Sequence, residues 1–313
     1  MFIEAISHYI PEQIISNAYF KAVNGLDEDW IVARTGIKNR TKATKSDNTN
    51  TMGIKAVDSM KDQMHDSLKD VDLIVGGSYS PYDTVGTLAH AIQREFNIIR
   101  AKAVYLSSAC SSFINAVEVV EGYFATGKAS KALIVVSEHN TAYSNERDEK
   151  SGHLWGDGAA AVLLKKEEIE AGTRILDVFT EGLGHIGRGP NAVYLHPLNG
   201  GLQMPHGKDV FINACNYMIY ALEYILEKNN MELEQVDYVI PHQANIRIIN
   251  HIAHSLEIPH EKMITNIEEL GNTGSASTLI ALSQNLEQIG RNKTIAFTVF
   301  GGGYSTGSML IRT

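Results

Sequence analysis

Short apolar runs alternate with helix-like stretches along most of the chain. Val71-Asp72-Leu73-Ile74-Val75-Gly76 is apolar and ends in glycine, and Thr84 to Phe96 then carries apolar residues at helical spacing. The pair reads as a strand followed by a helix. Ala103-Val104-Tyr105-Leu106 leads into a helix from about Ser111 to Ala125, and Lys131 to Val136 and Gly158 to Leu164 follow as strands. Runs that are apolar on both faces predict buried sheet covered by helices, because a strand with one face in water would alternate.

The same order recurs in the second half. Val236 to Ile240 matches Val71 to Val75, and Met263 to Ile267 leads through a Gly/Ser-rich turn to a helix from Ser275 to Leu286, as Tyr105 to Ser108 leads to the earlier helix. Lys293 to Phe297 then matches Lys131 to Val135, and Gly307 to Ile311 matches Gly158 to Leu164, at offsets of 165, 162 and 149 residues across the series. Four pairs in one order point to an internal duplication. The expected architecture is α/β: a duplicated, layered fold of two similar halves, residues 1–170 and 171–313, with mixed sheets and helices. The active site would lie where strand ends from both halves converge.

Composition narrows the function. The chain has 313 residues, a formal net charge of -9 and two cysteines, Cys110 and Cys215. An acidic balance opposes nucleic-acid binding, which needs a basic surface. Two cysteines without a C-x-x-C pair give neither a disulfide framework nor a structural zinc site, so a reducing compartment is expected. The start lacks a basic, apolar leader and no segment approaches a membrane span; the expectation is a cytoplasmic protein with no membrane contact.

Three residues carry candidate chemistry. Cys110, in Ser107-Ser108-Ala109-Cys110-Ser111-Ser112-Phe113, falls between a buried strand and a helix, where unpaired amides and the helix dipole favour a thiolate nucleophile. His242 directly follows the apolar run Val239-Ile240-Pro241, and Asn272 lies in the turn Gly271-Asn272-Thr273-Gly274-Ser275 before a helix. Singly, each has an ordinary reading: a core cysteine, a surface histidine, a turn asparagine. Together they occupy strand-to-helix junctions of one α/β fold, with Asn272 equivalent to Cys110 under the duplication. Phe300-Gly301-Gly302-Gly303-Tyr304 adds a turn whose backbone can approach a ligand and supply an oxyanion site. Cys215, in the apolar helical stretch Phe211 to Asn216, reads as a packing residue.

The motif series resembles the β-ketoacyl-acyl-carrier-protein synthase III enzymes of the thiolase superfamily over nearly the whole chain. It comprises Tyr9-Ile10-Pro11 with Asn17, Asp29 to Ile37, Ala109-Cys110-Ser111, Gly156-Asp157-Gly158-Ala159, His242 to Arg247, Gly271 to Ser275 and Gly301-Gly302-Gly303. The resemblance implies a decarboxylative Claisen condensation: Cys110 takes an acyl group from a coenzyme A thioester, and His242 and Asn272 act on a malonyl thioester. It implies an oxyanion hole from the amides of Cys110 and Gly302, coenzyme A contacts from Trp30, Arg34 and Thr35, and Asn245 on the pantetheine arm. Phe211 would stand near the tunnel mouth, Trp155 as an aromatic lining residue, and Arg247 at the acyl carrier protein. No metal or other cofactor is implied, and a homodimer is, with Thr84 to Leu88 close to the partner's tunnel. Three departures stand out. Glu149 replaces an arginine expected to stack on adenine; Ile212, His254 and Ser255 replace lysines around Arg247; and the segment 187–206, with Asn199-Gly200-Gly201, is unusual. Two alternatives stay open: a specialised relative passing acyl groups to another carbon, amine or hydroxyl acceptor, and a papain-like peptidase, which uses Cys, His and Asn in the same chain order.

Overall fold

A computed structural model describes residues 1–63, 68–169, 172–198 and 200–313. The first half runs β1 (Phe2–Tyr9), β2 (Gln13–Ser16), α1 (Asn17–Asn24), α2 (Glu28–Thr35), β3 (Asn39–Lys42), α3 (Thr49–Asp58), β4 (Leu73–Gly77), α4 (Leu88–Glu95), β5 (Lys102–Leu106), α5 (Ser112–Ala125), β6 (Lys131–Glu138) and β7 (Gly158–Lys165). The second runs β8 (Thr173–Gly182), β9 (Tyr194–His196), β10 (Gly201–Gln203), α6 (Gly207–Lys228), β11 (Tyr238–Pro241), α7 (Ile246–Ser255), α8 (Ile267–Leu270), α9 (Ser277–Ile289), β12 (Thr294–Gly301) and β13 (Ser305–Arg312).

Hydrogen bonding joins nine strands in the order β11-β12-β13-β8-β1-β7-β6-β4-β5. The duplication is visible in this order. β4 lies parallel to β6, β6 antiparallel to β7 and β7 antiparallel to β1; β11, β12, β13 and β8 repeat those three relations. The seam between the halves is thin: among the described residues β1 and β8 share only the pairs Phe2↔Arg174 and Ile3↔Thr173. What binds them is the core around the two helices that follow the candidate turns. α5 packs on β4 and β6 of its own half and on β8 and β13 of the other, while α9 packs on β11 and on β1 and β7. Phe113, Ile114, Leu279, Ile280, Phe297 and Met309 meet in this shared core, where burial of each large apolar side chain contributes about 1.5–3 kcal/mol.

The structure departs from the sequence reading in three places. The first helix expected from Thr84 begins at Leu88, with Thr87 extended at φ -63°, ψ 167° as its N-cap. Met263 to Ile267 is not a strand: it makes one isolated parallel bridge, Val239↔Met263, before α8 starts at Ile267. The helix expected from Ser275 to Leu286 starts at Ser277, after a single 3-10 turn over Gly274–Ala276, and runs to Ile289. The division placed near residue 170 falls on Glu170 and Ala171, outside the described residues, as does Asn199 of the unusual segment.

Candidate active site

Cys110 sits in the tight turn between the end of β5 and the start of α5. Ser111 N donates to Ser108 O at 3.1 Å, Ser112 N to Ala109 O at 3.1 Å and Ser108 N to Ser112 Oγ at 2.9 Å, closing the turn on itself. Ala109 adopts φ 49°, a left-handed conformation that costs a residue bearing a Cβ and that the surrounding contacts must hold in place. Gly301, the last residue of β12, packs against this turn backbone to backbone. A Cβ there would lie 2.6 Å from Ser108 O and 3.0 Å from the nitrogens of Cys110 and Ser111, so only glycine fits.

His242 leaves the end of β11 and is buried. Its backbone N donates to Thr298 O at 2.9 Å, and its Nδ1 lies 2.8 Å from Ser277 Oγ. Gln243 N donates to the same Oγ at 3.4 Å; a Ser277 hydroxyl that gives its proton to Nδ1 sets the imidazole proton on Nε2. Burial holds the imidazole down at about 4, so it is neutral at physiological pH. Asn272 is fixed on every side but one. Its N donates to Leu154 O at 2.9 Å, its O accepts from Gly156 N at 3.0 Å and Asn140 Nδ2 at 3.1 Å, and its Oδ1 accepts from Gly274 N at 2.9 Å. With Oδ1 engaged, the side-chain NH2 is the end left to serve a ligand.

The three side chains line one cavity of about 290 Å³, together with Gly302 and Trp155. Its remaining wall is largely apolar: Val193, Leu202 and Met204 from the β9–β10 region, Ala214 and Met218 from α6, Ile248 from α7 and Phe300 from β12. An apolar passage ending at a thiol, two neutral hydrogen-bond donors and a glycine backbone suits an acyl chain on a thioester. The thiol itself corrects a sequence expectation. Burial, then the nearby Glu138 charge, push Cys110 up to about 12.

The other expected residues are at the rim or outside the cavity. Phe211, Asn245 and Arg247 adjoin Val210, Ala244 and Ile248, which line it, and the Arg247 guanidinium lies 5.5 Å from the Phe211 ring centre. Asn245 caps α7, its side chain accepting from Arg247 N at 2.9 Å. Trp30 is 39% exposed, with the Arg34 guanidinium 4.9 Å over its ring. Thr35 is buried and spends its hydroxyl within its own turn, donating to Ile31 O at 2.7 Å and accepting from Ile37 N at 3.1 Å. Glu149 is exposed, as are Ile212, His254 and Ser255. Cys215 is buried among Ala214, Met218, Ile252 and Phe300, a packing residue as read from the sequence.

Sequence reasoning missed the support beneath the site. Glu138, wholly buried at the end of β6, accepts from Ser78 Oγ at 3.0 Å, Ser80 N at 3.1 Å and Tyr79 N at 3.3 Å, from Ser80 Oγ, and from Ser275 Oγ at 2.5 Å on the Asn272 turn. Burial pushes its carboxyl up to about 7. Ser78-Tyr79-Ser80 follows a strand and precedes Pro81, a turn signal that pointed to no chemistry alone.

Comparison with known proteins agrees with this geometry. The family profiles described as 3-oxoacyl-(acyl-carrier-protein) synthase III and its C-terminal region match residues 105–184 and 226–313. The β-ketoacyl-(acyl-carrier-protein) synthase III of Aquifex aeolicus is 31% identical over 97% of this chain and 96% of that protein. That of Campylobacter jejuni is 31% identical over 99% and 97%. The crystal structure of the Aquifex aeolicus synthase superposes with a TM-score of 0.93 at 30% identity, covering 100% of this chain and 99% of that one. A papain-like peptidase is thereby set aside, and the duplicated thiolase-like architecture holds. The chain belongs to the β-ketoacyl-acyl-carrier-protein synthase III family of condensing acyltransferases.

Proposed function

We propose that Cys110 is the acyl acceptor of this condensing enzyme and that His242 and Asn272 stabilise the malonyl-derived enolate. One observation carries the assignment: the three side chains open into a single apolar cavity, with the Gly301-Gly302 backbone wedged against the Cys110 turn. In acylation the Cys110 sulfur attacks a coenzyme A thioester, and the oxyanion is met by the amides of Cys110 and Gly302. The proton lost by Cys110 leaves on the coenzyme A sulfur. In condensation the malonyl thioester, carried by acyl carrier protein, loses carbon dioxide, and the electron pair of the broken C–C bond becomes an enolate. His242 Nε2–H and the Asn272 amide donate to its oxygen. Both donors are neutral, so they hold negative charge without surrendering a proton. The enolate carbon then attacks the Cys110 thioester and expels the thiolate.

Trp30 and Arg34 would contact coenzyme A as it enters, with Asn245 on the pantetheine arm, Phe211 near the tunnel mouth, Trp155 on the cavity wall and Arg247 facing the carrier. Thr35, closed within its turn, would act by shaping α2. The same reading takes residues 1–170 as the half that brings the nucleophile and 171–313 as the half that brings His242 and Asn272. Homodimer formation is supported by β5, which stands at the edge of the sheet among the described residues, and by the exposed Tyr82 and Val85. A free nucleophilic thiol suits the reducing cytoplasm, and the chemistry needs no cofactor beyond the thioester substrates.

Separating the half-reactions tests the roles. His242→Ala and Asn272→Ala should each accept an acyl group on Cys110 while malonyl decarboxylation falls by about a hundredfold or more, the scale of losing an oxyanion donor. A variant that decarboxylated malonyl thioester normally but accepted no acyl group would reverse the assignment.

A further inference from the structure

One polar group in the cavity wall has no place in the steps above. Tyr79 lines the cavity with Cys110, His242 and Asn272, and its hydroxyl is buried with no hydrogen-bond partner, sulfur included, among the described residues. A buried phenol normally finds a partner, because leaving the hydroxyl unpaired costs about 1–3 kcal/mol. This one is held in place deliberately tightly. Its backbone N and both flanking serines bond to Glu138, which also accepts from Ser275 on the Asn272 turn. Gly274, at φ 57°, leaves the space that the hydroxyl occupies; a Cβ there would collide with Tyr79 Oη. The ring is thus pinned by main chain on one side and by a glycine turn on the other, with its hydroxyl at the chemical end of the cavity.

We propose that Tyr79 is a further catalytic residue, whose phenol O–H, unpartnered in the resting site, turns to the Cys110 sulfur as that sulfur gains negative charge and stabilises it as thiolate. The inference rests on the reading of Cys110 as nucleophile and extends it. The sulfur carries negative charge twice in the cycle: as the attacking group in acylation, and as the leaving group when the enolate carbon displaces it from the thioester. A fixed donor favours both moments. It also opposes the two influences that disfavour the thiolate here, burial and the Glu138 carboxyl. Among groups lining the cavity, His242 is neutral and Tyr79 is itself held protonated by burial, so the phenol acts as a donor without ionising.

The test reads Cys110 directly. Wild type, Tyr79→Phe and Tyr79→Leu are alkylated with iodoacetamide across a range of pH, and the rate at the Cys110 peptide is followed by mass spectrometry, with the Cys215 peptide as internal control. Both variants should alkylate Cys110 roughly ten- to hundredfold more slowly at a fixed pH below the thiol midpoint, the scale of one hydrogen bond to a charged group. Tyr79→Phe should keep the wild-type melting temperature, since it removes one oxygen and no packing. Cys110 alkylation profiles that coincide for wild type and Tyr79→Phe would overturn the proposal, as would slowing in the leucine variant alone. Alkylation needs no acyl donor, so a wild-type enzyme that never formed an acyl adduct would defeat the nucleophile reading separately.

Discussion

At the scale of single residues the site is built from groups held neutral by burial. His242 and the non-catalytic His153 both titrate at about 4 in the folded protein, against an ordinary 6.5, through burial first and, for His153, the Arg40 charge second. A lowered histidine pKa means that the unfolded chain binds more protons than the native one between these values. Stability contributed by each neutral imidazole is therefore lost as pH falls from about 6.5 through about 4, up to on the order of 3 kcal/mol apiece. Glu138, raised to about 7, has the opposite sign: the native state keeps its proton, so its contribution is lost as pH rises through 7. Comparing wild type with His242→Gln cancels the Glu138 share. The melting temperature of wild type should fall more than that of the variant between pH 7.5 and 4.5, and parallel curves would show that His242 titrates normally.

At the scale of elements, legibility followed burial. β4, β6, β7 and β12 are buried along nearly their whole length, and their unbroken apolar runs gave their positions to within a few residues. β8 carries Arg174, Asp177 and Glu181 among partly exposed positions, and no strand signal stands out there. Met263 to Ile267 has the composition of a strand, but its backbone pairs at one bridge only, because α8 begins at Ile267. The candidate trio could be read because each residue lies in a short local motif, Cys110 and His242 between a strand and a helix and Asn272 in the turn between α8 and α9. Glu138 could not: it meets Ser275 across 137 residues of sequence, and only the folded chain brings β6 to the Asn272 turn. The cavity wall is another product of folding, since α6 turns Ala214 and Met218 inward while Ile212 stays exposed. Ala214→Trp should fill the passage. Acylation by acyl-coenzyme A should fall at least about tenfold in kcat/KM, as a misfit of 1 Å or more at a reacting centre already costs about a hundredfold. Alkylation of Cys110 by a small reagent should survive, and unchanged kinetics with long acyl donors would show that the passage runs elsewhere.

At the scale of the molecule, a chain of net charge -9 would meet its carrier protein at Arg247 under the proposed function. Arg247 is exposed beside the rim, and Ile212, His254 and Ser255, the exposed positions read as replacing family lysines, are neither lysine nor arginine. Arg247→Glu should weaken malonyl-carrier use by about tenfold or more at low salt while leaving acyl-coenzyme A acylation nearly intact. The difference should shrink as salt rises, because exposed charges are screened over about 8 Å at physiological ionic strength. Equal carrier kinetics for both proteins at low salt would remove Arg247 from recognition.

The central claim, that condensation proceeds through an acyl group on Cys110, is tested most directly by intact-protein mass spectrometry. Wild type incubated with a panel of acyl-coenzyme A donors should gain the mass of one acyl group, mapped to the Cys110 peptide. A chase with malonyl-acyl-carrier protein should remove it and yield the β-ketoacyl product. Cys110→Ala should fold and gain nothing. An acyl adduct that persisted on Cys110→Ala, or one on wild type that the malonyl chase left in place, would contradict the account.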